Sequence, residues 1–394
     1  MLKTLSFKFT HTPDIFFGAG KFAKLPDILR NAKKIILVLG GSSFQKTNRW
    51  QWLSEELTKL QVAFFTVTVN HEPSPGLIDE IAGKYREEAI DMVVSAGGGS
   101  VIDTGKAISA MLTQQQSVMA FLEGAGEGLE HDGRKVPFIA VPTTSGTGSE
   151  ATKNAVLSVI GENGFKNSLR HDHFIPDIAI VDPELTVGCP PNITAASGMD
   201  ALCQLLESYM SDASGPMTDA LALSGLDCAA ASLEDLCTRE PFNVDKRAKM
   251  SYAALMSGIT LANAGLGVVH GFASSIGGLF DIPHGVLCGT MLPEAVHISI
   301  QEAFKDKQAN GWMIRKFATV GELFCGMVSK DDEKTCAALS DYLFRLKQTL
   351  KLPGLSRFGV TKTDAERIAA KTSNKNNPVK LTREQLCQLV INCL

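Results

Sequence analysis

No CxxC pair, no run of Lys and Arg, and no apolar stretch approaching the roughly 20 residues of a membrane span occur in this 394-residue sequence. The nine cysteines are scattered and odd in number, which excludes a disulfide framework and points to reduced thiols. All nine read as core residues, including Cys288 just past a histidine-bearing stretch. A net charge of −4 without basic clusters offers no footprint for nucleic acid or for an anionic membrane surface. The opening "MLKTLSFKFTHTPDIFF" places His, Asp and Pro where a signal peptide has an unbroken apolar core, so the cytoplasm is the expected compartment. Internal repeats and low-complexity linkers are missing too. What remains is a globular chain, 44% apolar and 20% charged, too long for one hydrophobic core and therefore expected to form two domains.

The texture divides the chain. From residue 34 to about 182, apolar runs such as "KIILVLG", "VAFFTVTV", "DMVVSAG" and "FIAVPTT" alternate with amphipathic stretches such as "WLSEELTKL" and "LIDEIAGKYREE". Runs apolar on both faces are parallel strands covered by helices, so residues 1–188 are expected to form an α/β domain with a doubly wound parallel sheet. Ahead of it, "LSFKFTHTPDIFFG" reads as an antiparallel hairpin, and "LKTLSFKF" as a segment able to pair with its copy in a homodimer or larger homo-oligomer. Pro190-Pro191 marks the boundary, with Thr194 as the expected cap of the next helix. Residues 189–394 then read as an all-α domain, from "AASGMDALCQLLESYMS" to "EAFKDKQANGWMIRKFATVGELF". The polar, Gly-rich stretch 123–135 is expected to be a surface loop.

Glycine-rich turns close three of the expected strands. In "SAGGGSVIDTGKA", Gly97, Gly98, Gly99 and Ser100 join a strand to a helix, where bare backbone and free N–H groups suit a pyrophosphate. A tight βα turn capped by Ser100 is the plainer alternative. Asp103, in the first turn, would repel a phosphate above it and is better suited to bracing the loop or a ribose. "VPTTSGTGSEAT" offers hydroxyls from Thr143, Thr144, Ser145, Thr147, Ser149 and Thr152. Two such turns on neighbouring strands lie on the sheet edge where ligands bind. In "LGGSS", Gly40, Gly41, Ser42 and Ser43 stand where an NAD site presents an acid to the ribose, leaving room for a 2′-phosphate, with Lys46 and Arg49 close in sequence.

"VVHGFASSIGGLFDIPHGV" carries His270 and His284, which continuous helix would hold roughly 21 Å apart. A shared site needs a reversal. Gly277-Gly278 can end one helix and Pro283 can open the next with His284 in its first turn. Asp200, in "SGMDALCQLLES", sits among small apolar neighbours that would leave a carboxylate desolvated without a partner. It serves either a helix N-terminus, with Ser197, or a cation. Asp, His and His with one open position is the ligand set of a catalytic metal, and Gln204 follows one turn after Asp200.

Together, "GGGSVIDTGKA", "PTTSGTGSEAT", "DPELT", "SGMDAL" and "HGFASSIGGLFDIPHG", in this order and spacing, resemble the iron-containing (group III) alcohol dehydrogenases, which have a dehydroquinate synthase-like fold. The resemblance implies a dinucleotide-binding α/β domain, a helical metal and substrate domain, and a nicotinamide and metal in the cleft between them. It carries the metal ligands onto Asp200, Gln204, His270 and His284, with iron or zinc as the divalent ion. Gln204 and Ser274 stand where most members have histidine; Ser274 is thereby the catalytic position of a proton relay, beside Asp200, His270 and His284. Cofactor contacts carry over onto Ser74, Gly98, Gly99, Ser100, Asp103, Thr143, Thr144, Thr147, Thr152 and, by a looser match, Lys166. "LGGSS", with Gly40, Gly41 and Ser42, is similar to the turn of NADPH-preferring aldehyde reductases, so NADP is favoured over NAD.

The activity so implied is hydride transfer between nicotinamide and a metal-polarised carbonyl or alcohol of a small molecule, in the aldehyde-reducing direction. The pocket is expected to draw on Leu266, Phe272, Phe280, Asp281 and the 123–135 loop. Two rivals are a metal-free reductase of a polar carbonyl in the same fold and a catalytically retired nucleotide-binding protein.

Overall fold

The computed structural model describes residues 6–41, 44–327 and 329–394. Its strands are β1 (Asp14–Phe17), β2 (Lys34–Gly40), β3 (Ala63–Val69), β4 (Met92–Gly97), β5 (Phe138–Pro142), β6 (Asn154–Val159), β7 (Phe165–Arg170) and β8 (Ile178–Val181). Six form one parallel sheet in the order β1-β8-β5-β4-β2-β3, while β6 and β7 pair antiparallel on their own. Successive strand residues point to opposite faces. Ile35, Leu37 and Leu39 of β2 therefore pack with Leu53 and Leu57 of α1 (Asn48–Lys59). Ile36 and Val38 pack instead with Ile78 and Ile81 of α2 (Pro75–Tyr85) and with Ile102 and Ile108 of α3 (Gly99–Met111). The run "IILVL" is apolar throughout because both of its faces are covered.

Helices follow from Pro191 onward, among them α4 (Pro191–Met210), α5 (Val244–Ala264), α6 (Val268–Gly277) and α7 (His284–Lys305), around a single hydrophobic core. α5 and α6 meet at a 95° bend, and no single helix among the described residues is long and apolar enough to cross a membrane. The helices press directly on the sheet's loops. Gly148, at φ +61°, lies against Gly258 in α5, where a Cβ on Gly258 would sit 2.1 Å from the Gly148 carbonyl oxygen. Ser145 and Ser251 join the same two segments through their hydroxyls at 3.0 Å.

Several local expectations fail. Among the described residues the N-terminal segment forms no antiparallel hairpin: β1 lies parallel beside β8, continued by hydrogen bonds from Asp14 N to Asp177 O (2.9 Å) and Gly18 N to Val181 O (3.0 Å). Pro13 cannot donate to a ladder, and the open edge of β8 offers a better partner. α4 begins at Pro191, so Thr194 is not its cap; inside the helix its hydroxyl donates to Cys189 O (3.3 Å) and accepts from Arg247 Nη1 (2.9 Å). Ser100 likewise caps nothing, because Gly98 is the N-cap of α3. The stretch 302–324 is broken, with α7 ending at Lys305 and the next helix starting at Gly311. The β6–β7 hairpin had no counterpart in the sequence reading, since β7 alternates polar residues without a strong apolar face.

Candidate active site and metal centre

Mid-helix in α4, Asp200, Cys203, Gln204 and Glu207 recur at the three- and four-residue spacing that places them on one face. Asp200 is far from the helix N-terminus, which removes a capping role. α6 supplies His270. After Gly277 the chain reverses, and Pro283 is the N-cap of α7, whose first residue is His284. A Cβ on Gly285 would meet Ala196 O at 2.2 Å, so the first turn of α7 rests directly on the backbone of α4. That contact brings His284 to Asp200.

Asp200 Oδ1 lies 3.4 Å from His270 Nε2 and 3.5 Å from His284 Nε2. Cys288, one turn into α7, places its Sγ 3.7 Å from His270 Nε2 and 3.8 Å from His284 Nε2. One ligand atom from each of the four residues lies within 4.8 Å of all the others. Asp200 is buried, yet its Oδ1 has no hydrogen-bond partner among the described residues. A carboxylate oxygen, two imidazole nitrogens and a sulfur converging on one point form a donor set that suits a divalent cation. Behind them, Glu207 takes His270 Nδ1 at 2.7 Å and Val269 N at 2.6 Å. A carboxylate only accepts, so this bond puts the proton on Nδ1 and turns the Nε2 lone pair toward the cluster. Burial depresses the His270 imidazole, but Cys288, Asp200 and Glu207 outweigh it and hold the group well above its ordinary value. His284 is raised in the same way, against burial, by Cys288 and Asp200. The cluster collects positive charge.

Two expected positions differ in detail. Gln204 borders the site, but its amide oxygen accepts from Ser257 Oγ at 2.8 Å. Ser274 Oγ donates to His270 O at 3.1 Å and also borders the cavity.

That cavity, about 510 Å³, runs from His270, Ser274 and His284 to Gly99, Ser100, Asp103 and Thr147. β4 and β5 are neighbours, so their two glycine-rich turns meet at the carboxyl edge of the sheet, with Gly40 and Gly41 following β2 on the other side of β4. The turns are pressed together: a Cβ on Gly99 would lie 2.4 Å from Thr147 Cγ2, and one on Gly98 would lie 3.3 Å from Thr144 Oγ1. Thr143 N donates to Gly97 O at 2.9 Å, closing the pair. Asp103 braces them, accepting from Ser149 Oγ and from Val156 N (3.0 Å). Ser74 caps α2 through Leu77 N (3.3 Å), while Glu72 and Pro73 just before it border the cavity. Lys166, on β7, reaches the cavity with its charge met by Glu72 at 2.5 and 2.6 Å. Arg49 is likewise paired, with Glu184 at 2.8 Å. Ser42 and Ser43 lie outside the described residues. Of the expected pocket residues, Leu266 and Glu123 border the cavity; Phe272 is wholly buried in the helical core, and Phe280 and Asp281 do not reach the cavity wall.

Sequence reasoning missed Cys288, Glu207 and Lys106. Cys288 had a signal in its spacing of one helical turn from His284, and Glu207 in its two turns from Asp200. Lys106 is buried, and its ammonium donates to Ser149 O (2.8 Å), Thr152 Oγ1 (2.9 Å) and Asn154 O (2.9 Å), tying Thr152 and the second glycine-rich turn to α3. Burial brings this lysine down to about 8 and pushes Glu150 beside it up to about 7. A carboxyl raised in the folded state contributes stability that is full below pH 4.5 and lost as pH rises through about 7. Glu150→Gln, which never ionises, should therefore match the parent protein near pH 4.5 and exceed it above pH 7 by about 3 kcal/mol in urea unfolding. An unchanged difference across that range would show that Glu150 titrates normally.

Sequence models described as iron-containing alcohol dehydrogenase and as the C-terminal part of the Fe-containing alcohol dehydrogenase family match residues 12–183 and 194–393. The chain belongs to the iron-containing alcohol dehydrogenase family. It is an oxidoreductase acting on CH–OH groups. Alcohol dehydrogenase 4 of Saccharomyces cerevisiae is 33% identical over 392 residues, covering 96% of each chain. The crystal structure of a 1,3-propanediol oxidoreductase superposes with a TM-score of 0.88 at 28% identity, covering 99% of this chain and 100% of the other. Sulfoacetaldehyde reductase from Bifidobacterium kashiwanohense, solved in complex with NAD+, gives 0.82 at 27% identity, covering 99% of both chains. Within this family the α/β sheet with its helical second part is the common architecture.

Proposed function

We propose that this alcohol dehydrogenase family member is an NADP-preferring reductase of small aldehydes that holds a divalent metal through Asp200, His270 and His284. In this reading residues 1–188 carry the dinucleotide and residues 189–394 the metal and substrate. The observation that carries it is the unpartnered, buried Asp200 Oδ1, which faces two imidazoles at one end of a cavity whose other end is a pair of interlocked glycine turns. When bound, the cation would polarise a carbonyl oxygen and the nicotinamide would exchange a hydride with the carbon.

The chain's own residues do the rest. Gly98 and Gly99 leave the N-terminus of α3 bare for a pyrophosphate, and Thr147, packed on Gly99, fixes that surface. Asp103 and Lys106 keep the two turns from moving apart. Glu207 holds the His270 ring in one orientation. Leu261, Leu266 and Ala273 line the cavity with apolar surface that displaces water from the carbonyl. Ser274 Oγ, which borders the cavity, would pass a solvent proton to the product oxygen on turning away from His270 O. NADP is favoured because β2 ends at Gly40 and continues into Gly41 without an acid to meet a ribose 2′-OH. The aldehyde-reducing relative solved with NAD+ supports the direction of the reaction. Nine free cysteines suit a reducing compartment, which extends the reading to the cytoplasm. A homodimer would use the run ahead of β1, of which residues 2–5 lie outside the described residues and Phe7 is exposed.

The test is turnover on an aldehyde panel with NADPH and with NADH, before and after removal of metal by a chelator. We expect NADPH oxidation to be lost on chelation and restored by a divalent ion. Undiminished turnover of protein shown by elemental analysis to be metal-free would leave the metal-free reductase as the answer, and tight NADPH binding without oxidation on any aldehyde would leave the retired binding protein.

A further inference from the structure

We infer that Cys288 is the fourth protein ligand of this centre, in place of Gln204, and that the Asp-His-His-Cys set selects zinc over iron. The inference rests on reading Asp200, His270 and His284 as metal ligands.

Geometry carries it first. Cys288 Sγ is as close to both Nε2 atoms, at 3.7 and 3.8 Å, as four atoms around one cation require, and it is wholly buried beside Asp200. His270 and His284 border the cavity whereas Asp200 and Cys288 do not, so the carboxylate and the sulfur form the floor of the site and leave its open side toward substrate. Gln204 is the weaker candidate, because its amide oxygen already accepts from Ser257 Oγ at 2.8 Å. Cys203, the other nearby thiol, lies 3.9 Å from His270 Nδ1, the nitrogen bonded to Glu207, and so belongs to the outer layer.

Chemistry carries it further. A neutral amide oxygen is a poor ligand for a transition metal, whereas a thiolate is a strong one that favours zinc over the harder ferrous ion. On binding, Cys288 coordinates as the thiolate through a sulfur lone pair, any proton on its Sγ or on the Nε2 atoms of His270 and His284 leaves to solvent, and no electron is transferred. Loss of an outer-layer partner alone typically costs 10- to 100-fold in metal affinity, so loss of a thiolate ligand should cost about 100-fold or more.

Cobalt(II) added to the metal-free protein reads the ligand directly. The parent protein should take up one cobalt and show an intense near-ultraviolet thiolate-to-cobalt charge-transfer band. Cys288→Ser should lose that band and bind zinc about 100-fold more weakly, while Cys203→Ser keeps the band. In competition between ferrous iron and zinc, the parent protein should retain zinc, and the zinc-over-iron ratio should fall in Cys288→Ser; an unchanged ratio would overturn the thiolate's part in the selection. If cobalt binds in an Asp200-dependent manner without the band, or if the band survives Cys288→Ser, the proposal fails while the three-ligand reading stands. If cobalt does not bind, or binds equally well to Asp200→Ala, both fail together. The parent spectrum decides the first point even where a variant does not fold.

Discussion

Asp200→Ala protein is expected to be isolated without its divalent ion and to reduce aldehydes at least about 10³-fold more slowly in kcat/KM, a loss of about 4 kcal/mol in transition-state stabilisation. The argument lies in what Asp200 does not do. Its Oδ1 makes no hydrogen bond, its helix position rules out a cap, and what it faces is two imidazole nitrogens at 3.4 and 3.5 Å. Removing the carboxylate leaves His270 and His284 without the charge that faces them at 3.4 and 3.5 Å. The metal-free variant should therefore unfold at a lower temperature than the metal-free parent at about pH 6, where the imidazoles are charged, with the gap narrowing as pH rises and they lose their protons. Elemental analysis, turnover and thermal unfolding of both metal-free proteins give three separate readings. Retained metal with unchanged kcat/KM would remove the carboxylate from the site.

Gly258→Ala should destabilise the protein by about 3 kcal/mol or more and weaken dinucleotide binding as well. Propensity alone argues the other way, since Gly to Ala inside a helix normally gains up to about 1 kcal/mol. Packing wins here because the new Cβ would lie 2.1 Å from the carbonyl oxygen and 2.8 Å from the carbonyl carbon of Gly148, which are backbone atoms that no rotamer change can move. Gly148 itself holds φ +61°, so its loop cannot yield without losing a conformation that suits glycine. Relief must push the loop away from α5, and Thr147 with it, away from Gly99. The urea midpoint and the Kd for NADPH should both worsen. A midpoint equal to or above that of the parent protein would show that loop and helix are not in such close contact.

These two substitutions fall on opposite sides of what could be read from residues in order. Asp200 was legible because a carboxylate among Ala, Gly and Met needs an explanation wherever it lies. The close approach of Gly258 was not, because "LMSGITLANAG" is an ordinary helical stretch and nothing in it points to a loop more than a hundred residues earlier. The reversal between His270 and His284 was legible from Gly277, Gly278 and Pro283, which act on their own backbone. Cys288 was read as core, and by burial it is core; only the arrival of α4 and α6 beside it adds Asp200 and His270 to His284 of its own helix as polar neighbours of its sulfur. Thr194 was misassigned for a related reason. A hydroxyl has several local partners, and the choice among them depends on where the helix actually begins.

The faces of β2, the glycine turns and the break between Gly277 and Pro283 were determined by the sequence alone, because each depends on backbone conformation or on period-two and period-3.6 patterning within a few residues. The edge on which β1 pairs, the Gly148–Gly258 contact, the Glu207 brace on His270 and the place of Cys288 were decided only in the tertiary structure. Each of these is a meeting of segments distant along the chain, and no local preference specifies which surfaces will share a core.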